Sequence, residues 1–308
     1  MSARGPAGVF GKIRAQGDFL RVNVAEPVAL SLVRWLEDGN EALHRAGVRL
    51  HPEPLAFVFS AADGDRALVG AIGPGEDKVG RSFPLAAFAP ASARELARDF
   101  PLVPALYRSF LEGARALLAQ APDLTAAQIA ERLSLLPLPG PSDASAGELW
   151  SREAAGERAA ALLLRLFGEP EEGQRYYAFH TFQLACQQVR GRDRGRTNIA
   201  LVCPCSHEQD AWPWLELSRR ALGWPVPPPF FWRSGPAPAL VISLGAPPAS
   251  MLLTLSADGR ESQKIWPLKT RQKPAVSQAQ KALPAAQLAA IDGQEITVGE
   301  LLDSLSPS

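Results

Sequence analysis

With 308 residues, 46% of them hydrophobic and 21% charged, the chain suits one large domain or two ordinary ones around a real core. Lys plus Arg balance Asp plus Glu at 32 each, which argues against a dedicated nucleic-acid or anionic-membrane binder. The three cysteines, Cys186, Cys203 and Cys205, make no disulfide framework and fit a reducing cytoplasm, while the start "MSARGPAGVFGK" lacks the apolar core of a signal peptide.

The first patterned stretch is "GVFGKIRAQGDFLR", Gly8 to Arg21. It is not a phosphate loop, because Gly8 and Gly11 are too close and Ile13 stands where a magnesium-binding hydroxyl is needed. Gly11 and Gly17 supply turns, and Val9, Phe10, Ile13 and Phe19 are expected to pack inward. A helix follows from Pro27, with Val28, Leu32, Trp35, Leu36 and Leu43 on one stripe and Gly47 as its stop. "PLAFVFSA", "RALVGAIGPG" and "DKVGRSFPLAAFAP" read as three strands of an antiparallel meander, with "ADGD" as the first turn. A helix with Val103, Leu106, Tyr107, Phe110, Leu111, Ala114, Leu117 and Leu118 inward comes next. Another begins at the capping-box pair Thr125 and Gln128.

The second half alternates helix and strand. "PLPGPSDASAG" (137–147) has linker composition. Helices are expected around Leu162–Leu166, over "YYAFHTFQLACQQV", "DAWPWLELSRRALGW" and "PPASMLLTL"; strands over "TNIALVCPC", "PPPFFWR" and "ALVISLG". The fold class is therefore mixed α+β: an antiparallel meander with covering helices in the N-terminal half, and βα units, with room for parallel pairs, in the C-terminal half. The expected division is 1–136 as the first domain and 137–147 as a linker. A second region, 148–268, could continue the same sheet, and 269–308 is a tail ending in a short helix.

Three clusters invite a chemical reading. Asp18 and Arg21 form a charged pair, but acid–base chemistry needs a partnered proton carrier, and no histidine or carboxylate nearby stands out. A salt bridge or loop clamp is the simpler role. Cys203, Cys205 and His207 in "CPCSH" could supply metal ligands, yet zinc sites favour wider C-x₂₋₄-C spacing and need a fourth ligand. Together with Asp18 they carry the alternative of a hydrolase or phosphatase-like enzyme. The arginines from Arg190 to Arg196 could grip an anionic ligand, or form a solvated loop. No nucleophile elbow and no paired-histidine motif occurs, and no cofactor is expected.

Two stretches together resemble a family. "GVFGKIRAQGDF" is similar to the G-x-x-G-K-[LI]-P-x-x-G-D-F opening of the bacterial type VI secretion accessory proteins TagF, also called ImpM. "DKVGRSFPL" resembles their D-x-V-G-R-x-F-P-L segment, and "PFFWRSG" with "ALVISLGAPP" resembles a later W-W-x-x-G segment and its strand. Arg14 replaces the usual proline, and Phe231 stands beside Trp232 where a tryptophan pair is common. The resemblance implies a cytoplasmic, non-enzymatic regulator. Such a protein represses type VI secretion after translation by binding and withholding a forkhead-associated-domain protein of the apparatus. It points to Gly11, Lys12, Gly17, Asp18, Phe19, Arg21, Trp35, Gly80, Arg81, Phe83, Pro84 and Trp232 as motif or partner-binding residues. Asp18 and Arg81 are the expected ion pair between the first two motifs.

Overall fold

The structure is a computed structural model; it describes residues 5–61, 64–138, 141–169, 173–233, 238–256, 259 and 264–306. "ADGD" is therefore described only at its second half. The chain opens with a short antiparallel hairpin, β1 (Gly8–Gly11) and β2 (Leu20–Val22), where the sequence pattern suggested only a shaped loop. Helix α1 (Pro27–Ala46) starts on Pro27 and ends on left-handed Gly47. The meander is β3 (Leu55–Ser60), β4 (Arg66–Gly73) and β5 (Leu85–Ser92), antiparallel throughout. The stretch 77–84, read as part of the third strand, instead lies ahead of β5 and holds a turn over 77–81, closed by a bridge between Glu76 and Ser82.

Short helix α2 (Ala93–Asp99) leads to α3 (Val103–Leu106) and α4 (Arg108–Gln120), one apolar stripe interrupted at Tyr107. Helix α5 (Ala126–Ser134) carries the capping box of Thr125 and Gln128. Helix α6 (Pro141–Gly156) then occupies most of the expected linker and corrects that reading: Trp150 and Ala154 are buried, so apolar anchors downstream outweigh a Pro-, Gly- and Ser-rich start. Next come α7 (Ala159–Phe167), α8 (Gln174–Val189), β6 (Asn198–Cys203), α9 (Ala211–Leu222), β7 (Phe230–Arg233), β8 (Ala239–Gly245), α10 (Met251–Thr254) and β9 (Ile265–Pro267). The expected tail is helical over most of its described residues. It forms α11 (Lys273–Ala282), α12 (Ala285–Asp292) and α13 (Val298–Leu305), which bury Leu283, Ile291, Val298, Leu301, Leu302 and Leu305.

Among the described residues nine strands form one sheet in the order β2-β1-β5-β4-β3-β7-β8-β6-β9. The two halves join where β3 pairs with β7, Phe57 opposite Phe231. Among the described strands only β6 and β9 run parallel, so the alternating second half builds mainly antiparallel neighbours.

Strands with continuous apolar sequence need cover on both faces, and this sheet has it. Leu55, Phe57, Phe59 and Phe231 face α1 and α10; Ala56, Val58, Phe230 and Trp232 face the larger helical layer. On the first face Gly39 lets α1 approach α10 closely: a Cβ there would lie 2.3 Å from a Leu252 methyl. On the second face Trp214 sits among Phe167, Phe179 and Phe182, and its indole N–H donates to the Pro204 carbonyl at 3.0 Å. No described helix is long and apolar enough to cross a membrane.

Candidate functional site

The two motif stretches meet at the end of the sheet where β2 is the edge strand. Their joint is a carboxylate. Asp77, fully buried, accepts from the Lys12 ammonium at 2.9 Å across 65 residues of sequence. The same carboxylate accepts from the backbone N–H groups of Val79 and Arg81, each at 3.0 Å, and from the Arg81 guanidinium at 2.7 Å. Gly80, with φ of 85°, turns the chain so that these donors converge. Arg81 also donates to the Gly17 carbonyl at 3.1 Å, and the Lys78 amide donates to the Gln16 carbonyl.

Asp18 is not part of this joint. It is exposed and makes no ion pair among the described residues, which corrects the expected Asp18–Arg81 bridge. The reason is local: Asp77 lies four residues before Arg81 within the turn it closes, whereas Asp18 is exposed in the loop between β1 and β2.

Burial alone would push the Asp77 carboxyl up. The Lys12 ammonium and the amides and guanidinium of the turn outweigh burial and hold it well below the usual carboxylate range. The sign of the linkage follows. On acidification the unfolded chain takes up this proton first, near the ordinary value of 3.8. Asp77 therefore stabilises the fold fully above that range, and its contribution fades as pH falls toward the depressed folded value. Asp77→Asn is expected to lower Tm by about 5 °C or more at pH 7, because two cations lose their shared anion. The gap between wild type and variant narrows as pH falls below about 4 and goes on closing toward the depressed folded value. Thermal unfolding across that range checks both.

Aromatic rings complete the joint. Phe10 and Phe19 stack at 5.3 Å, and both meet Phe83 edge-on. The Arg21 guanidinium lies 4.9 Å from the Phe10 ring and 5.9 Å from Phe19, with the Lys12 ammonium 5.4 Å from Phe19. Phe19 is half-buried rather than inward. At the tip of the Asp77 turn Val79 is 65% exposed, beside exposed Lys78, Gly80 and Arg81. The backbones behind this surface touch: a Cβ on Gly11 would lie 2.2 Å from the Pro84 carbonyl oxygen.

Residues 8–136 match the family described as the TagF N-terminal domain, type VI secretion system-associated. They are a TagF N-terminal domain. Both motif stretches, the meander and helices α1 to α5 lie within it. The chain is also similar to a solved structure, the crystal structure of PA0076 from Pseudomonas aeruginosa PAO1. That match has a TM-score of 0.49 and 17% identity, and it covers 83% of this chain and 96% of that one. No curated protein matches the chain.

Within the TagF domain Trp35 is buried; it stacks on Phe231 at 4.9 Å and donates to the Pro248 carbonyl at 3.3 Å. Trp232, outside the domain, is buried on the opposite face of the sheet, stacked on Phe230. Neither offers surface to a partner; they fasten the domain to the rest of the fold. Phe83 and Pro84 are buried as well, at the back of the motif surface.

The other two clusters have structural employment. Asp210, buried, accepts from the Ser206 and His207 amides at 2.7 and 2.9 Å and from Arg165, which also grips Glu157. Those partners, Glu157 first, raise the Arg165 guanidinium above its ordinary value. Burial pushes the Cys203 and Cys205 thiols up, away from the reactive thiolate. The groove beside His207 is lined by residues such as Glu157, Arg165 and Asp210, without Asp18 or either cysteine, so the constellation of the enzyme alternative does not assemble there. No group of three or more metal-ligating side chains occurs among the described residues. In the arginine loop Arg194 turns inward, over the Trp224 ring at 4.6 Å and onto the Pro227 carbonyl at 3.2 Å. Arg190, Arg192 and Arg196 stay exposed.

Asp77 is the residue that reading the sequence missed. Its signal was present in "DKVGR": an Asp three residues before a Gly is the pattern of a side chain closing its own turn.

Proposed function

We propose that this type VI secretion-associated protein is a cytoplasmic binding protein and not an enzyme. It represses secretion by holding a forkhead-associated-domain component of the apparatus away from assembly. The observation that carries this reading is the convergence of two distant motif stretches on one pre-shaped surface. Asp77 fixes a turn that presents Val79, Lys78 and Arg81 beside Phe19 and Arg21. Arginine and aromatic side chains on a rigid frame suit a protein contact, because little entropy is lost when a partner docks.

Co-purification tests it. The tagged chain, produced in its own bacterium, is expected to retain the forkhead-associated-domain component, and overproduction is expected to reduce type VI secretion without lowering the amounts of apparatus proteins. Unchanged secretion with no retained component would overturn the proposal.

A further inference from the structure

A cleft of about 380 Å3 opens beside the motif surface, between the first motif, the end of α1 and the Gly75–Leu85 loop. Its floor is apolar, with Ile13, Leu43, Val48, Leu50 and Phe83. Four basic side chains, Lys12, Arg14, His44 and Arg49, line it against a single carboxylate, Glu76. Lys12 is committed to Asp77. Arg14 reaches Glu76 only at 3.6 Å, with both side chains well exposed, a pair that contributes little. The exposed Arg49 guanidinium makes no ion pair among the described residues.

The cleft is built and not a chance gap. A Cβ on Gly75 would lie 2.5 Å from the Lys12 carbonyl oxygen and 2.6 Å from that of Phe83, so three backbone segments are locked together at its wall. The carbonyls of Leu43 and His44 at the end of α1 already accept from Val48 and Gly47, which blunts the negative end of the helix facing the cleft. What remains is an apolar floor under a rim with surplus positive charge. The volume sits at the low end for ligand sites, room for one or two side chains.

We infer that the cleft receives a short extended segment of the protein partner, in which a carboxylate stands next to an apolar side chain. The apolar side chain occupies the floor, and the carboxylate meets Arg14 and Arg49. This rests on the proposed function and assigns the partner's chemistry at one place.

The test uses the full chain and a displayed library of random twelve-residue peptides. Wild type is expected to enrich sequences pairing Asp or Glu with Leu, Ile, Val or Phe. An enriched peptide, synthesised, is expected to lose affinity about tenfold or more on Arg14→Glu/Arg49→Glu, and to weaken with added salt. Both substitutions are at exposed positions and are expected to leave Tm within about 2 °C of wild type. No enrichment, enrichment of basic or purely apolar peptides, or equal affinity for the double variant would each overturn the inference. The outcome separates from that of the proposed function: a chain that retains the forkhead-associated-domain component yet fails with peptides loses the cleft assignment only. One that enriches acidic peptides but never retains the component loses the partner assignment only.

Discussion

Gly11→Ala is expected to destabilise the fold by on the order of 3 kcal/mol, and to abolish partner capture with it. Two costs add at this position. The backbone of Gly11 has φ of 145°, which L side chains rarely adopt, and the added Cβ would lie 2.2 Å from the Pro84 carbonyl oxygen and 2.7 Å from the Leu85 Cα. The neighbours are backbone atoms, which cannot rotate away as a side chain would. Gly11 is also the last residue of β1, next to Lys12, so relief of the clash would pull the ammonium off Asp77. Gly80 provides the contrast. Its φ is 85°, but nothing lies within 4 Å of the added Cβ, so Gly80→Ala carries only the backbone strain and costs about 1–2 kcal/mol. Denaturant unfolding of the two variants, with equal slopes, gives the comparison.

Trp214→Ala is expected to cost about 4 kcal/mol. Trp214 is 1% exposed and contacts the rings of Phe167, Phe179 and Phe182, which come from α7 and α8. Removal leaves a cavity lined by two other helices, and collapse would require both of them to move. It also strands the Pro204 carbonyl at the end of β6. Because the sheet is continuous through the β3–β7 pairing, the loss is expected to shift a single unfolding transition and not to split off a second one. Calorimetry reads both the size and the number of transitions.

What could be read from the sequence was local. The stripe of α1, the meander of β3 to β5 and the capping box of α5 are written in periodicity and turn chemistry, and they fold as read. The motif stretches are legible as well, and they do converge. What could not be read depends on distant partners. Asp77 takes half of its role from Lys12, which sequence places far away, and the link between the two motifs was assigned to Asp18 instead. The register that sets Phe57 opposite Phe231 has no local signal, because an apolar strand does not state which edge it pairs with. Helices α6, α11 and α12 are rich in Ala, Gln, Ser and Pro with few large apolar side chains, and gain their stability from packing on α3, α8 and α13. Trp35, expected on the inward stripe of α1, and Trp232, expected as a motif residue, are both buried, because a sheet covered on both faces needs such side chains inside.

The most direct measurement is the affinity of the purified forkhead-associated-domain component for wild type and for Arg21→Glu/Val79→Asp. Both residues are exposed, one in each motif stretch, and neither belongs to the buried core. A Tm within about 2 °C of wild type together with at least about a tenfold loss of affinity is the predicted result. Wild-type affinity in the folded double variant would contradict the claim that the two motifs jointly form the surface that binds the partner.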